Sequence, residues 1–486
     1  MGDVSGHGER APEADLGLLD ATMIGMGAMI GAGIFVLTGL AAEIAGPAAI
    51  LVFMLNGVVT AFTGLSYAEL AASIPKSGGG YAFVREVFDD LPSFVMGWML
   101  WFAYMIAGGL YALGFAPNFL ELLHVYNVTP APDQVGAIAL PVVDAGVPAA
   151  VALAFVAVLG LVVLNALSTA ASGSVETIFT LIKVGILVVF VAFGATSPMF
   201  SSAEFQPLFP GDAGPLSILP AMGLTFIAFE GYDLITTVTE EVKNPRENIP
   251  KAIFMSLAVT VVVYLAVVGV AVGTLGASGL AEAGEAGIAQ AATEFMPTGL
   301  PIIQNGGAII VFGAVFSTLT ALNAVVIASS RVAFSMGRED QLLPSFGQLH
   351  HRYGTPFAAI LASGVVMLGS VALPTQSAGN MSSLFFLLSF IVVNGSVIKL
   401  RRERPDMNRP YEMPYYPVPP ILGIVLNLIL TGVLVVYLLR TDVLALVLSG
   451  GWILLGVAAY GIYTRLQSSE ETGNEPDTGE RTPQVD

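Results

Sequence analysis

Cysteine is absent from all 486 residues, which excludes disulfides, thiol catalysis and cysteine-ligated metal. Histidine is nearly absent: His7, His124, His350 and His351 all fall in stretches expected to be loops or tails. No histidine and cysteine set is therefore expected to hold a metal inside a membrane, and no cofactor is expected, so most enzyme classes drop out. Charge is scarce as well. Only 11% of residues are charged while 55% are hydrophobic, and the mean hydropathy of +0.79 lies well outside the range of soluble domains. The 18 basic residues are outnumbered by 36 acidic ones, a net charge of −18, and such a balance does not suit nucleic acid. It fits either a high-salt proteome whose acidic surfaces stay hydrated or a few acidic tails on an ordinary membrane protein. Residues 1 to 16 are polar and acidic, so no cleavable leader is expected in them.

What is abundant is long apolar sequence. Windows of about twenty residues, each able to cross a bilayer, fall near 17–42, 47–71, 92–121, 147–168, 175–197, 216–239, 250–275, 303–336, 356–373, 381–399, 418–439 and 442–463. They are called spans 1 to 12 below. The expected organisation is a cytoplasmic tail over 1–16, one membrane domain over 17–465, and an acidic tail over 466–486 whose composition reads as disordered.

Basic residues set the expected orientation. With the N-terminus in the cytoplasm, sixteen of the eighteen fall in tails or cytoplasmic loops: Arg10, Lys76, Arg85, Lys243, Arg246, Lys251, Arg331, Arg338, Arg352, Lys399, Arg401, Arg402, Arg404, Arg409, Arg465 and Arg481. Only Arg440 falls outside and only Lys183 lies within a span. This bias satisfies the positive-inside rule with both termini cytoplasmic. A missed span would scramble it.

Two spans look broken. Residues 25 to 35 read G-M-G-A-M-I-G-A-G-I-F, and each glycine costs a helix interior about 0.5–1 kcal/mol relative to alanine. Residues 223 to 233 read G-L-T-F-I-A-F-E-G-Y-D, which places Glu230, Gly231 and Asp233 in the middle of span 6. Unwound backbone survives in a membrane only beside a cavity or inside protein. If spans 1 to 5 repeat as spans 6 to 10 in opposite topology, spans 1 and 6 correspond, and their breaks face each other. Free N–H groups at a half-helix start suit a carboxylate, and unwound carbonyls suit an ammonium. Together they fit a zwitterion. For span 1 alone, close packing through small residues is the competing explanation.

Several motifs in order carry a family resemblance. They are G-A-M-I-G-A-G-I-F-V-L-T-G at 27–39 with A-G-P at 45–47, S-Y-A-E-L at 66–70 and P-K-S-G-G-G-Y at 75–81. E-E-V-K-N-P-R follows at 240–246, S-S-R-V-A-F-S-M-G-R-E-D at 329–340 and R-P-Y-E-M-P-Y-Y-P at 409–417. The chain resembles the amino acid-polyamine-organocation (APC) superfamily, near prokaryotic relatives of the cationic amino acid transporter branch. That resemblance implies an all-α polytopic fold of LeuT type, two inverted five-helix repeats plus two helices, with alternating access around a central site.

Carried onto this sequence, the substrate carboxylate meets the N–H groups of Gly31, Ala32 and Gly33. The amino group meets carbonyls of Met29, Ile227, Ala228 and Glu230. Phe226, Phe229, Trp101 and Tyr104 either line a side-chain pocket or simply pack. Lys183, in I-F-T-L-I-K-V-G-I-L, resembles the span 5 lysine of proton-coupled members and would donate to carbonyls of Gly27 and Ile30. Burial penalises a charged amine, the direction a proton carrier needs; a permanently charged lysine standing in for an ion is the alternative.

The Glu230 side chain can pair with a cationic substrate, carry a proton or make a helix contact. Ala103 stands where several relatives carry a glutamate, so cationic specificity does not follow. Asp233 is expected to brace the half-helix, and Glu69 to pair with basic loop residues. Asn323, Ser329 and Ser330 either complete the Lys183 region or bind helices together, and 281–294 is a gating segment or an idle loop. The expected function is proton-coupled amino acid symport across the cell membrane. An exchanger with a charged Lys183 and a non-transporting scaffold or receptor are the alternatives.

Overall fold

The structure, a computed structural model, describes residues 15–130, 135, 138–140, 143–167, 173–209, 214–296 and 306–473. The tail residues 1–14 and 474–486, with Arg10 and Arg481, lie outside the described residues.

With no water to satisfy peptide groups in a bilayer, an apolar chain must bond its own backbone, and a helix does so within one segment. Every apolar window accordingly carries helix. Spans 2 to 5 are Ala49–Ser73, Asp90–Val125, Ala149–Leu167 and Gly173–Ala195. Spans 7 to 12 are Pro245–Ala283, Gly306–Arg338, Phe357–Ser370, Thr375–Glu403, Val418–Thr441 and Val443–Gly473. Among the described residues ten stretches are long and apolar enough to cross a membrane; the first, Leu18–Ser73, contains both span 1 and span 2, and Phe357–Ser370 is a shorter apolar helix. A short antiparallel hairpin, Ile138–Leu140 with Val143–Val147, is the only strand pair among the described residues. The last helix runs on to Gly473, into the segment read as an acidic tail.

Burial separates inner from outer helices. Span 3 has 94% of its apolar window buried, whereas spans 4, 5, 11 and 12 have 22%, 28%, 28% and 17%, which leaves their apolar faces to lipid. Small residues let the inner helices approach closely. Gly57 and Gly64 of span 2 sit under Val261 and Leu257 of span 7, and Gly97 of span 3 sits under Met336 of span 8.

One end gathers the basic loops. Arg401 donates to both oxygens of the buried Glu69 at 2.6 and 2.7 Å, Glu86 pairs with Lys76 and Arg404 at 2.9 and 2.7 Å, and Arg331 pairs with Glu241 at 2.6 Å. Leu16 exchanges backbone hydrogen bonds with Glu241 and Lys243, at 3.0 and 2.8 Å, so the entry to span 1 is tied to the exit of span 6. At the other end the carbonyl of Gly284 presses directly on Gly39. The segment 281–294, a short turn and the helix Gly287–Phe295, thus packs on the second half of span 1.

Candidate functional site

Span 1 is two helices, Leu18–Met29 and Ala32–Ala45, separated by Ile30 and Gly31. At Gly31 the backbone turns far from helical geometry (φ −106°, ψ −137°), and its N–H donates to the Met29 carbonyl at 2.7 Å. The second helix starts without a side-chain cap. Its first N–H groups therefore have no acceptor within the helix, and they open on the break.

Span 6 breaks differently. Helix Ile218–Thr225 tightens into a 3₁₀ turn, Phe226–Phe229; Glu230 is extended (ψ 144°), and Gly231 has φ +136° before a second 3₁₀ stretch, Asp233–Glu241. Only glycine adopts that φ without strain. Asp233 fixes the turn by accepting the Gly231 N–H at 2.9 Å and the Tyr104 hydroxyl at 2.5 Å. It braces the break, as expected of it.

The two breaks lie against each other. A Cβ on Gly33 would stand 2.5 Å from the Cβ of Ala228, and one on Gly231 would stand 2.7 Å from the backbone nitrogen of Met29. Between them sits the hydroxyl of Tyr264, from span 7, at 2.5 Å from the Met29 carbonyl and 2.9 Å from that of Ala228. Its ring is held edge-on by Phe53 and Phe229. Thus Met29, Gly31, Ala32, Gly33, Phe226, Ile227, Ala228 and Glu230 come together at one place inside the protein, all buried.

Individual groups are used differently from expectation. The Gly31 N–H is occupied within its own turn, and the helix proper begins with the N–H groups of Ala32 and Gly33. The Ile227 carbonyl accepts the Glu230 N–H at 3.2 Å. Phe226 packs on Phe390 of span 10. Trp101 points elsewhere: its indole N–H donates to Ser363 of span 9 at 2.8 Å, among Trp98, Trp452 and Phe346. Neither oxygen of Glu230, which is 1% exposed, has a hydrogen-bond partner among the described residues.

Behind span 1 lies Lys183, fully buried. Its ammonium donates to the Gly27 carbonyl and to the Thr320 hydroxyl, each at 2.8 Å. The Ile30 carbonyl accepts from the Ser317 hydroxyl. Thr177 and Thr180, two turns and one turn earlier on span 5, donate to Asp20 and to the Met23 carbonyl at 3.1 and 3.2 Å. A single face of span 5 thereby grips the first half of span 1, with the lysine nearest the break. Span 8 completes this region through Ser317 and Thr320. Asn323 instead pairs with Asn165 of span 4 at 2.8 Å, and Ser329 and Ser330 bond carbonyls of their own helix.

Sequence reasoning missed Tyr264, Ser317 and Thr320. The available signals were a lone hydroxyl in the apolar run of residues 261–268 and a hydroxyl pair spaced three apart on one helix face.

Comparison with known proteins identifies the family. The profile of the amino acid permease family matches residues 16–458. The branched-chain amino acid permease BcaP of Bacillus subtilis is 31% identical over 476 residues, covering 95% of each chain. The protein of the same name from Lactococcus lactis is 29% identical, covering 91% of this chain and 93% of its own. The methylthioribose transporter of Bacillus subtilis is 28% identical, covering 93% and 94%. The chain belongs to the amino acid permease family, within the APC superfamily, and is a multi-pass membrane transporter rather than an enzyme.

Proposed function

We propose that this permease carries apolar amino acids across the cell membrane by alternating access, coupled to proton entry through Lys183. The observation that carries the reading is the joined pair of breaks. Carbonyls of spans 1 and 6 share the Tyr264 hydroxyl, beside uncapped N–H groups at Ala32 and Gly33. An anion acceptor and a cation acceptor a few ångströms apart match the two ends of an α-amino acid. Met29, Ile227, Ala228 and Glu230 are assigned to the amino end, Ala32 and Gly33 with the Gly31 turn to the carboxylate, and Phe226 and Phe229 to an apolar side chain. The names of the branched-chain permeases among its relatives support that substrate class.

The remaining assignments follow from the same reading. The packing of span 1 on span 6, span 2 on span 7 and span 3 on span 8 supports two inverted five-helix repeats with spans 11 and 12 added. The gathering of basic loops at one end supports cytoplasmic termini. Loss of the Lys183 proton would remove the ammonium from the Gly27 carbonyl and loosen the grip of span 5 on span 1. Exchange of amino acids is the second reading, favoured by the two acceptors at 2.8 Å, which suit a lysine that keeps its ammonium.

Uptake of a labelled amino acid panel into proteoliposomes, with and without an inward proton gradient, tests both in the native chain and in Lys183→Ala. Concentrative uptake that needs the gradient and the lysine supports symport. Uptake that ignores the gradient and requires amino acid inside supports exchange.

A further inference from the structure

The acceptors at the two breaks are almost all taken by protein donors. Met29 takes the Gly31 N–H and the Tyr264 hydroxyl, Ala228 takes the same hydroxyl, Ile227 takes the Glu230 N–H, Ile30 takes Ser317 and Gly27 takes Lys183. Against this background the Glu230 carboxylate stands apart. It is 1% exposed, and both of its oxygens lack a hydrogen-bond partner among the described residues. Its neighbour Asp233 accepts two hydrogen bonds. The next residue, Gly231, lies directly against the backbone of Ala28 and Met29, so Glu230 sits in the chain where the two breaks meet. A buried ionised carboxylate is strongly disfavoured unless a cation or strong donors meet it.

We infer that the Glu230 side chain is the counter-charge for the substrate's α-ammonium, an assignment that rests on the amino acid reading above. The two charged ends of an α-amino acid hang from one carbon, so both must be met within the joined breaks. The first N–H groups of helix Ala32–Ala45 meet the carboxylate, and Glu230 meets the ammonium. The zwitterion then enters the buried centre with each charge compensated. A carboxylic acid without the amino group brings a second anion beside Glu230 and is rejected by repulsion.

Competition binding with leucine and with 4-methylpentanoate, which is leucine without its amino group, tests this in the native chain, in Glu230→Gln and in Glu230→Asp. Thermal unfolding of each variant checks folding. The expected result is that Glu230→Gln weakens leucine by about 10- to 100-fold, the range of a lost charge-assisted hydrogen bond. Binding of 4-methylpentanoate should stay unchanged or improve, so the preference collapses. Glu230→Asp, which keeps the charge, should retain most of the preference and keeps the test open if the glutamine variant does not fold.

An unchanged preference in Glu230→Gln overturns the inference and leaves the ammonium to the carbonyls. So does a variant that keeps the preference but loses gradient-driven accumulation, which makes Glu230 a proton carrier. Stronger competition by lysine or arginine than by leucine also overturns it, by placing a side-chain cation against Glu230. A native chain that binds neither leucine nor its analogue overturns the amino acid reading itself, and this assignment with it.

Discussion

The break in span 1 is held mostly by neighbouring spans, whereas the break in span 6 adds a brace of its own to the bonds it makes with neighbours, from Tyr104 to Asp233, from Tyr264 to the Ala228 carbonyl and from the Ile227 N–H to Ser383. Carbonyls of Gly27, Met29 and Ile30 are met by Lys183, Tyr264 and Ser317, which arrive from spans 5, 7 and 8. In span 6 the turn is fixed by its own Asp233, two residues beyond the Gly231 N–H that it accepts. A self-braced turn keeps its shape when its helix moves. A turn clamped by three neighbours changes when any of them shifts or when a clamp loses a proton.

The largest expected effect removes the premise of both breaks. Gly231→Val places a side chain at φ +136° and 2.7 Å from the backbone nitrogen of Met29; the strained φ alone costs about 1–3 kcal/mol. Uptake and binding should fall to background, and near-normal affinity would show that the substrate site lies elsewhere. Next, Lys183→Ala strips the Gly27 carbonyl and Thr320 of a charged donor, at about 1.5–3 kcal/mol per hydrogen bond. Gradient-driven accumulation should vanish while exchange across preloaded liposomes persists, and an intact gradient response would end the coupling assignment.

Tyr264→Phe keeps the ring against Phe53 and Phe229 but deletes the shared hydroxyl. Affinity should drop about tenfold, the size of one buried hydrogen bond group left unpaired, with proton dependence unchanged. The self-braced break gives the smaller response: Asp233→Asn retains an acceptor for the Gly231 N–H, and binding should weaken by no more than a few-fold. A loss as large as that of Lys183→Ala would show that span 6 too depends on charge.

The smallest effect belongs to the basic end beneath both breaks. Hydrogen bonds from Arg404 and Lys76 hold the Glu86 carboxyl below the usual carboxylate range. A group depressed in the folded state adds stability above its unfolded pKa and loses it as pH falls through the folded value. Glu86→Gln should therefore lower the unfolding temperature slightly near neutral pH, for an effect of at most about 1 kcal/mol, and make no difference in strong acid. Transport should not change.

Much of the site could be read from particular residues. The glycines at 27, 31 and 33 and the run Glu230-Gly231 mark breaks because no apolar helix gains from them in its interior. Lys183 was legible because an intramembrane charge is expensive, and its bond to Gly27 is as expected. Asp233 as brace and Glu69 in a pair with a basic residue were also legible, from their place beside a break and beside an interface. Trp101, Asn323 and the Gly31 N–H were less so. Each sits on the expected helix or turn, but its direction depends on how that element is rotated against its neighbours, and rotation is set by packing between distant segments.

Sequence alone determined that this chain crosses a membrane many times, where two of its helices break and which lysine lies within a span. Those outcomes follow from hydropathy, glycine and the cost of burying charge, all local properties of a segment. Only the tertiary structure decided that the two breaks touch through Gly33 and Ala228, that a tyrosine from span 7 joins them, and that the Glu230 carboxylate has no hydrogen-bond partner among the described residues while that of Asp233 has two. Contacts between residues more than two hundred positions apart, such as Tyr264 and Met29, come from the packing of whole helices, and no segment carries that information by itself.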